Sequence, residues 1–122
     1  MILLIKALTE QFKEILKESH YLNNNSVEVR NPYLTFSISG EPLRFKQDGF
    51  YIDVDVFDNQ APNDVRIETV VQNVKEHFEN KHVLTEQFLL QFEFRISNHI
   101  PTGSDTLQRR NLQLYVKVDW RG

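Results

Sequence analysis

Asp53 and Asp55 stand two residues apart in YIDVDVFD, residues 51–58, the spacing at which two side chains share one face of a β-strand. Such a pair can hold Mg²⁺ together with water and a substrate phosphate, or serve as acid and base if their surroundings separate their pKa values. Either use requires more: further oxygen ligands, a positioned base, or a glycine-rich loop to cradle phosphate. The four glycines, at 40, 49, 103 and 122, are isolated. The residues around the aspartates alternate with a period of two. The pair therefore reads as the wet side of a strand, and Asp58 as a turn residue that caps or ends it.

The four histidines make no zinc motif. His77 and His82 are five apart, not the four that sets two ligands on one helical face, and there is no HExxH. They flank the end of a helix, where its dipole favours imidazolium; His20 lies alone. His99 and Asp105 offer a base and an orienting acid, but only Ser104 or Thr106 stands near as a nucleophile, which falls short of a triad. Arg109 and Arg110 are adjacent, so on a strand they face opposite sides, one toward a salt bridge and the other toward solvent, an acidic neighbouring subunit or phosphate. Phe88, Phe92 and Phe94 share their alternation with Leu90 and Ile96, a core stripe rather than a platform for stacking bases. No catalytic residue, metal ligand or cofactor site is expected.

Composition points the same way. The chain has 122 residues, 40% hydrophobic and 25% charged, with nine Phe, four Tyr and one Trp, enough for one globular domain spanning residues 1–122. A net charge of -3 argues against a general nucleic-acid binder. The absence of cysteine excludes disulfides, thiolate nucleophiles and Cys-ligated zinc, and fits an intracellular protein. In MILLIKALTE charge enters at Lys6, too early for a membrane span, and no positive residue precedes the apolar run as in a secretory signal. The expectation is a soluble cytosolic protein with no membrane association.

The elements that would position these residues emerge from periodicity. Ile5, Leu8, Phe12, Ile15 and Leu16 recur at helical spacing, predicting a helix over 2–20 that ends at NNNS. YLTFSIS, residues 33–39, switches to a period of two and is broken by GEP at 40–42. After the DG turn signal, Phe50, Ile52, Val54 and Val56 form one strand face. Pro62 marks a helix start, and Ile67, Val70, Val71, Val74 and Phe78 continue that helix to about 80–82. QFLLQFEFRIS and LQLYVKVDW alternate as two further strands, separated by a long loop, NHIPTGSDTLQRRN. The expected architecture is α+β: two helices packed on one face of a mainly antiparallel four-stranded sheet, in the order α-β-β-α-β-β. Outward Tyr51, Phe57, Leu89 and Tyr115 suggest that the strands curl toward a barrel. No internal repeat is visible.

Three segments carry a resemblance to a known group. GFYIDVDVFDNQAPNDVRIETVVQNVKEHF looks like a central strand, a short acidic turn and a helix; FLLQFEFRIS and GSDTLQRRNLQLYVKVDW look like a closing strand pair with an Asp-containing loop and arginines entering the last strand. Together with the N-terminal helix, they resemble the small tail-terminator, tail-completion and minor-capsid proteins of long-tailed bacteriophages and prophages. The resemblance implies an α+β fold and a structural role: a homo-oligomeric ring, often a hexamer, that stops growth of the tail tube and meets the head connector. It implies no catalytic residues. The partners would be further copies, tail-tube and head-connector proteins, with DNA only in passage and not read by sequence. The setting would be host cytoplasm during assembly, then the virion head–tail junction. The regions 40–49 and 98–111 would contact neighbours, with Arg109, Arg110, Asp105, His99, Asp53 and Asp55 as interface candidates. The alternatives are a minor capsid or head–tail connector protein, a non-enzymatic bacterial interaction module, and an Asp-based metal-dependent enzyme.

Overall fold

The computed structural model describes residues 1–121. The elements run α1 (Ile2–Ile15), β1 (Ser19–Tyr21), β2 (Tyr33–Arg44), β3 (Gln47–Asp58), α2 (Val65–Phe78), β4 (His82–Leu84), β5 (Phe88–Ile100) and β6 (Gln108–Trp120). They build a six-stranded sheet in the order β1-β2-β3-β6-β5-β4, curled into a half-barrel. β1 pairs with β2 in parallel; the other four pairings are antiparallel.

The expected four-stranded sheet and its α-β-β-α-β-β order are therefore corrected to a six-stranded mixed sheet. The physical reason is length. β1 and β4 have three residues each, too short for alternation to show, and both hide beside helix ends. α1 stops at Ile15 rather than 20, because Leu16 turns to extended backbone and its carbonyl accepts the Ser19 hydroxyl at 2.6 Å. That turn delivers residues 19–21 to the sheet edge. α2 likewise ends at Phe78, where Glu79 extends and Asn80 takes a positive φ of 58°.

The presumed loops at 40–49 and 98–111 are mostly strand. Gly40 and Pro42 read as breakers, yet both lie in β2. Leu34 N–H donates to Glu18 C=O, and Phe36 C=O accepts Leu22 N–H, so even-numbered residues of β2 point their backbone groups away from β3. Pro42 falls on that side, where a missing N–H costs no ladder bond. Gly40 is required by packing: a Cβ there would sit 2.5 Å from Cε1 of Phe50. β5 and β6 extend to Ile100 and Gln108, leaving a connection of only residues 101–107.

Leu4, Leu8 and Phe12 of α1, Ile67, Val70, Val71, Val74 and Phe78 of α2, and the inward residues of β2, β3, β5 and β6 form one buried cluster. Aromatic contacts knit it: Phe12 lies 4.7 Å from Phe36 and 4.9 Å from Phe78, and Phe78 lies 4.9 Å from Phe92. Two inward placements change: Leu4 rather than Ile5 joins Leu8 and Phe12 in the core, and Ile96 leaves it. Ile96 is 50% exposed, because the pairing of β5 slips by one residue between Phe94 and Ile96, and a one-residue bulge sends the residues beyond it to the other face. No helix among the described residues is long and apolar enough to cross a membrane.

Candidate assembly interface

The outer face of the sheet, opposite the core, carries Asp53 and Asp55. β3 holds both there by the alternation that buries Ile52, Val54 and Val56. Across the ladder, β6 supplies their partners. Asn111 Nδ2 donates to Asp53 Oδ1 and Asp55 Oδ1, each at 3.1 Å, and Arg109 reaches Asp55 with Nη2 at 3.0 Å and Nε at 3.1 Å. The Arg109 guanidinium also lies over Phe57, 5.7 Å from the ring centre, and Phe57 stacks on Tyr33 at 4.9 Å. The two carboxylates are thus tied into an amide, cation and aromatic patch. Among the described residues, no group of three or more His, Cys, Asp or Glu side chains is arranged to hold a metal ion.

Arg110 takes the opposite face. Its guanidinium bonds to Glu68 of α2 and to the Ser97 hydroxyl, and its Nε donates to Asn98 C=O at 3.1 Å. Both arginines therefore carry ion pairs, rather than one pairing and one reaching solvent. His99 is exposed and lies across the ladder from Arg110. Asp105 is exposed in the 101–107 connection, near turns in which Thr102 and Ser104 hydroxyls bond the backbone. The structure does not bring His99 or Asp105 to the Asp53–Asp55–Asn111 patch: His99 faces the helix side of the sheet and Asp53 the other.

One cluster escaped the reading of the sequence. Asp58 ends β3 fully buried and forms a two-point pair with Arg66: Nε to Oδ2 at 2.8 Å and Nη2 to Oδ1 at 2.5 Å. Burial pushes its pKa up, but the Arg66 hydrogen bonds, the Asn59 N–H and the Arg66 charge together hold it below its ordinary value. Beside it, buried Gln108 accepts Gln60 N–H at 3.0 Å and donates to Asn63 C=O and Asp64 Oδ1. The connection to α2 is thereby pinned to the start of β6. Parity was the available signal: Phe50, Ile52, Val54 and Val56 face inward, so Asp58 does too, and a buried carboxylate requires a cation. Burial against Phe78 and the Lys81 charge push the His77 imidazole down, with Glu14 opposing. Its Nε2 lies 2.8 Å from Gln11 Oε1.

The ends of the hairpins expose apolar groups. Phe45, at the β2–β3 tip, is 91% exposed beside exposed Leu43, and Leu107 is exposed at the β5–β6 end. The two tips project from opposite ends of the sheet, since β3 and β6 run antiparallel.

The fold has a counterpart. A chain from the virion of a native gene transfer agent (GTA) particle superimposes with a TM-score of 0.67 over 88% of this chain and 84% of that one, at 11% sequence identity. No family model matches the sequence, and no curated protein does. At that identity the likeness concerns fold: this arrangement of helices and sheet occurs in a protein of a virion particle.

Proposed function

We propose that this chain is a structural protein of a phage-like particle, and specifically a tail terminator: a ring, hexameric by the resemblance, that caps the tail tube and joins it to the head. It works by binding other proteins, not by catalysis. The observation that carries this reading is the shared fold with a gene transfer agent virion chain over most of both lengths. Three further features support it. The acidic pair that would have served chemistry is engaged by Asn111 and Arg109. Apolar residues crown two hairpins that extend in opposite directions. A net charge of -3 suits a passage through which DNA slides without sticking. Its partners are then other copies of itself, tail-tube protein and head-connector protein, met in the host cytoplasm and retained in the virion.

The test is assembly state. Light scattering of the purified chain, alone and with tail-tube protein, is expected to give a mass several times that of one chain, with rings in electron micrographs and binding at tube ends. A chain that stays monomeric at every concentration and does not co-sediment with tubes overturns the proposal. Rings that bind portal-side proteins and ignore tubes would move the protein to the connector.

A further inference from the structure

Resting on that assembly reading, we propose that copies join edge to edge through a defined backbone seam. Ser19 and Tyr21 of β1 in one copy pair antiparallel with His99 and Ser97 of β5 in the next.

Both outer rows of the sheet are incomplete, at opposite ends. Among the described residues, on one side β1 covers only Leu34–Phe36 of β2, leaving β2 without a neighbour from about residue 38 to the tip. On the other, β4 covers only Leu89–Gln91 of β5, and residues beyond Phe94 have no partner strand on that side among the described residues. Unpaired edge backbone is a template for another strand.

The steps match in level. Following the ladders across the sheet, Ser19 is level with Leu34, Val56, Arg110 and His99. His20 is level with Thr35, Asp55, Asn111 and Asn98, and Tyr21 with Phe36, Val54, Leu112 and Ser97. At the other end, His82 is level with Gln91, Lys117, Gly49 and Glu41, and Val83 with Leu90, Val118, Asp48 and Pro42. A second copy set beside the first, in the plane and without sliding, brings its β1 against the bare stretch 97–99. The same placement brings the first copy's β4 against the bare stretch 41–44 of the second. The two short strands then share one row of a continuous sheet.

Backbone direction matches as well. Glu18 C=O and Leu22 N–H bond to β2, so Ser19 and Tyr21 aim their N–H and C=O outward. On β5, Phe92 N–H bonds outward to Lys81. The bulge after Phe94 changes the parity, so beyond it Ser97 and His99 face the open edge. Opposed in antiparallel sense, Ser19–His99 and Tyr21–Ser97 are the pairs that exchange N–H···O bonds, with His20–Asn98 as the closer pair between them. Tyr21 C=O already accepts Asn23 N–H at 2.9 Å and keeps a second lone pair. Arg110 bonds Ser97 and Asn98 from inside the sheet, which holds the receiving edge straight. In the second contact, His82 of β4 comes level with Glu41 of the neighbour, opposite charges when the imidazole is protonated.

The two edges differ, so a contact between them is head-to-tail, and it repeats around a ring when its rotation closes. Pro42 and the irregularity after it limit strand addition at the β2 edge. This places the main backbone seam at β1 and β5.

The chain has no cysteine, which makes the test direct. His20→Cys with Asn98→Cys places one thiol on each side of the closer pair. On oxidation this variant is expected to yield a ladder of covalent multimers ending at the ring mass, while either single substitution yields none. A second variant, His99→Pro, removes one outward N–H from an exposed edge position, where proline is tolerated. It is expected to weaken assembly about tenfold or more with its melting temperature near that of the parent monomer. Wild-type rings whose double-cysteine variant forms no covalent ladder, or which survive His99→Pro unchanged, overturn the seam and leave the ring standing. Cross-linking by His20→Cys alone shows self-pairing of one edge and also overturns it. A wild-type chain that never assembles fails the assembly reading and takes the seam with it.

Discussion

In the first half of the chain, α1, β1 and the β2–β3 hairpin are linked through residues 22–32, and β1 runs parallel to β2; in the second, α2, β4 and the β5–β6 hairpin are linked through residues 85–87, and β4 runs antiparallel to β5. The inventory is the same: a helix of 14 residues, a strand of three, and a long hairpin. Because β3 and β6 meet at the centre, the sheet order is symmetric about them. Linker length sets the difference. Three residues can only reverse the chain, whereas a parallel neighbour needs a longer crossover. Equivalent elements thus make unlike edges, and unlike edges favour a directional chain of copies over a self-paired dimer.

The largest expected effect comes from breaking what joins the halves. Phe12 touches Phe36 in one half and Phe78 in the other. Phe12→Ala is expected to cost about 3–5 kcal/mol in urea denaturation, with both halves lost in one transition. Separate transitions would show that the halves fold independently.

Asp58 closes the first hairpin with a buried ion pair, whereas the second hairpin ends at Trp120, whose indole N–H donates to Asp48 at 2.7 Å. Asp58→Asn is expected to cost about 1–3 kcal/mol, the lower part of that range being favoured by the partial exposure of Arg66. Since the Asp58 carboxyl is held below its ordinary 3.8, its contribution is complete above that value and is lost as pH falls through the folded value. The variant should therefore lose less stability than the parent on acidification. Equal acid slopes in the two proteins would dismiss the ion pair as a source of the difference between the halves.

Gly40 yields to Phe50 within the first hairpin. Gly40→Ala is expected to cost about 1–3 kcal/mol by overpacking, measured as a shift in denaturation midpoint. A neutral outcome would mean that the exposed β2 edge moves aside freely.

The smallest effect is at the tips, where Lys46 has a φ of 57° and Gly103 a φ of 71°. Lys46→Gly is expected to stabilise, and Gly103→Ala to destabilise, each by about 0.5–1 kcal/mol. Shifts of the same sign in thermal melts would rule out left-handed strain as the shared feature.

Much of the local structure was legible because burial imposes a period. Phe50, Ile52, Val54 and Val56 face inward, and Asp53 and Asp55 outward, as their alternation requires. The same logic, carried two residues further, would have found Asp58. It failed at Ile96, because nothing in the residue types around Arg95 announces the extra residue that flips the face. It failed at β1 and β4, because three residues cannot display a period and their place depends on where α1 and α2 stop. Gly40 and Pro42 misled in the opposite direction: punctuation in a chain read alone, they are compatible with an edge strand whose outer side has no partner.

Composition and periodicity alone determined the two amphipathic helices, the long alternating strands and the lack of any cysteine chemistry, since these depend on which side chains water rejects and which residue types are present. Only the tertiary structure decided that the sheet has six strands, that Asp58 meets Arg66, that Asn111 and Arg109 take up the acidic pair, and that the two bare edges lie at opposite ends. Each of these depends on contacts between residues far apart in the chain, which local spacing does not encode.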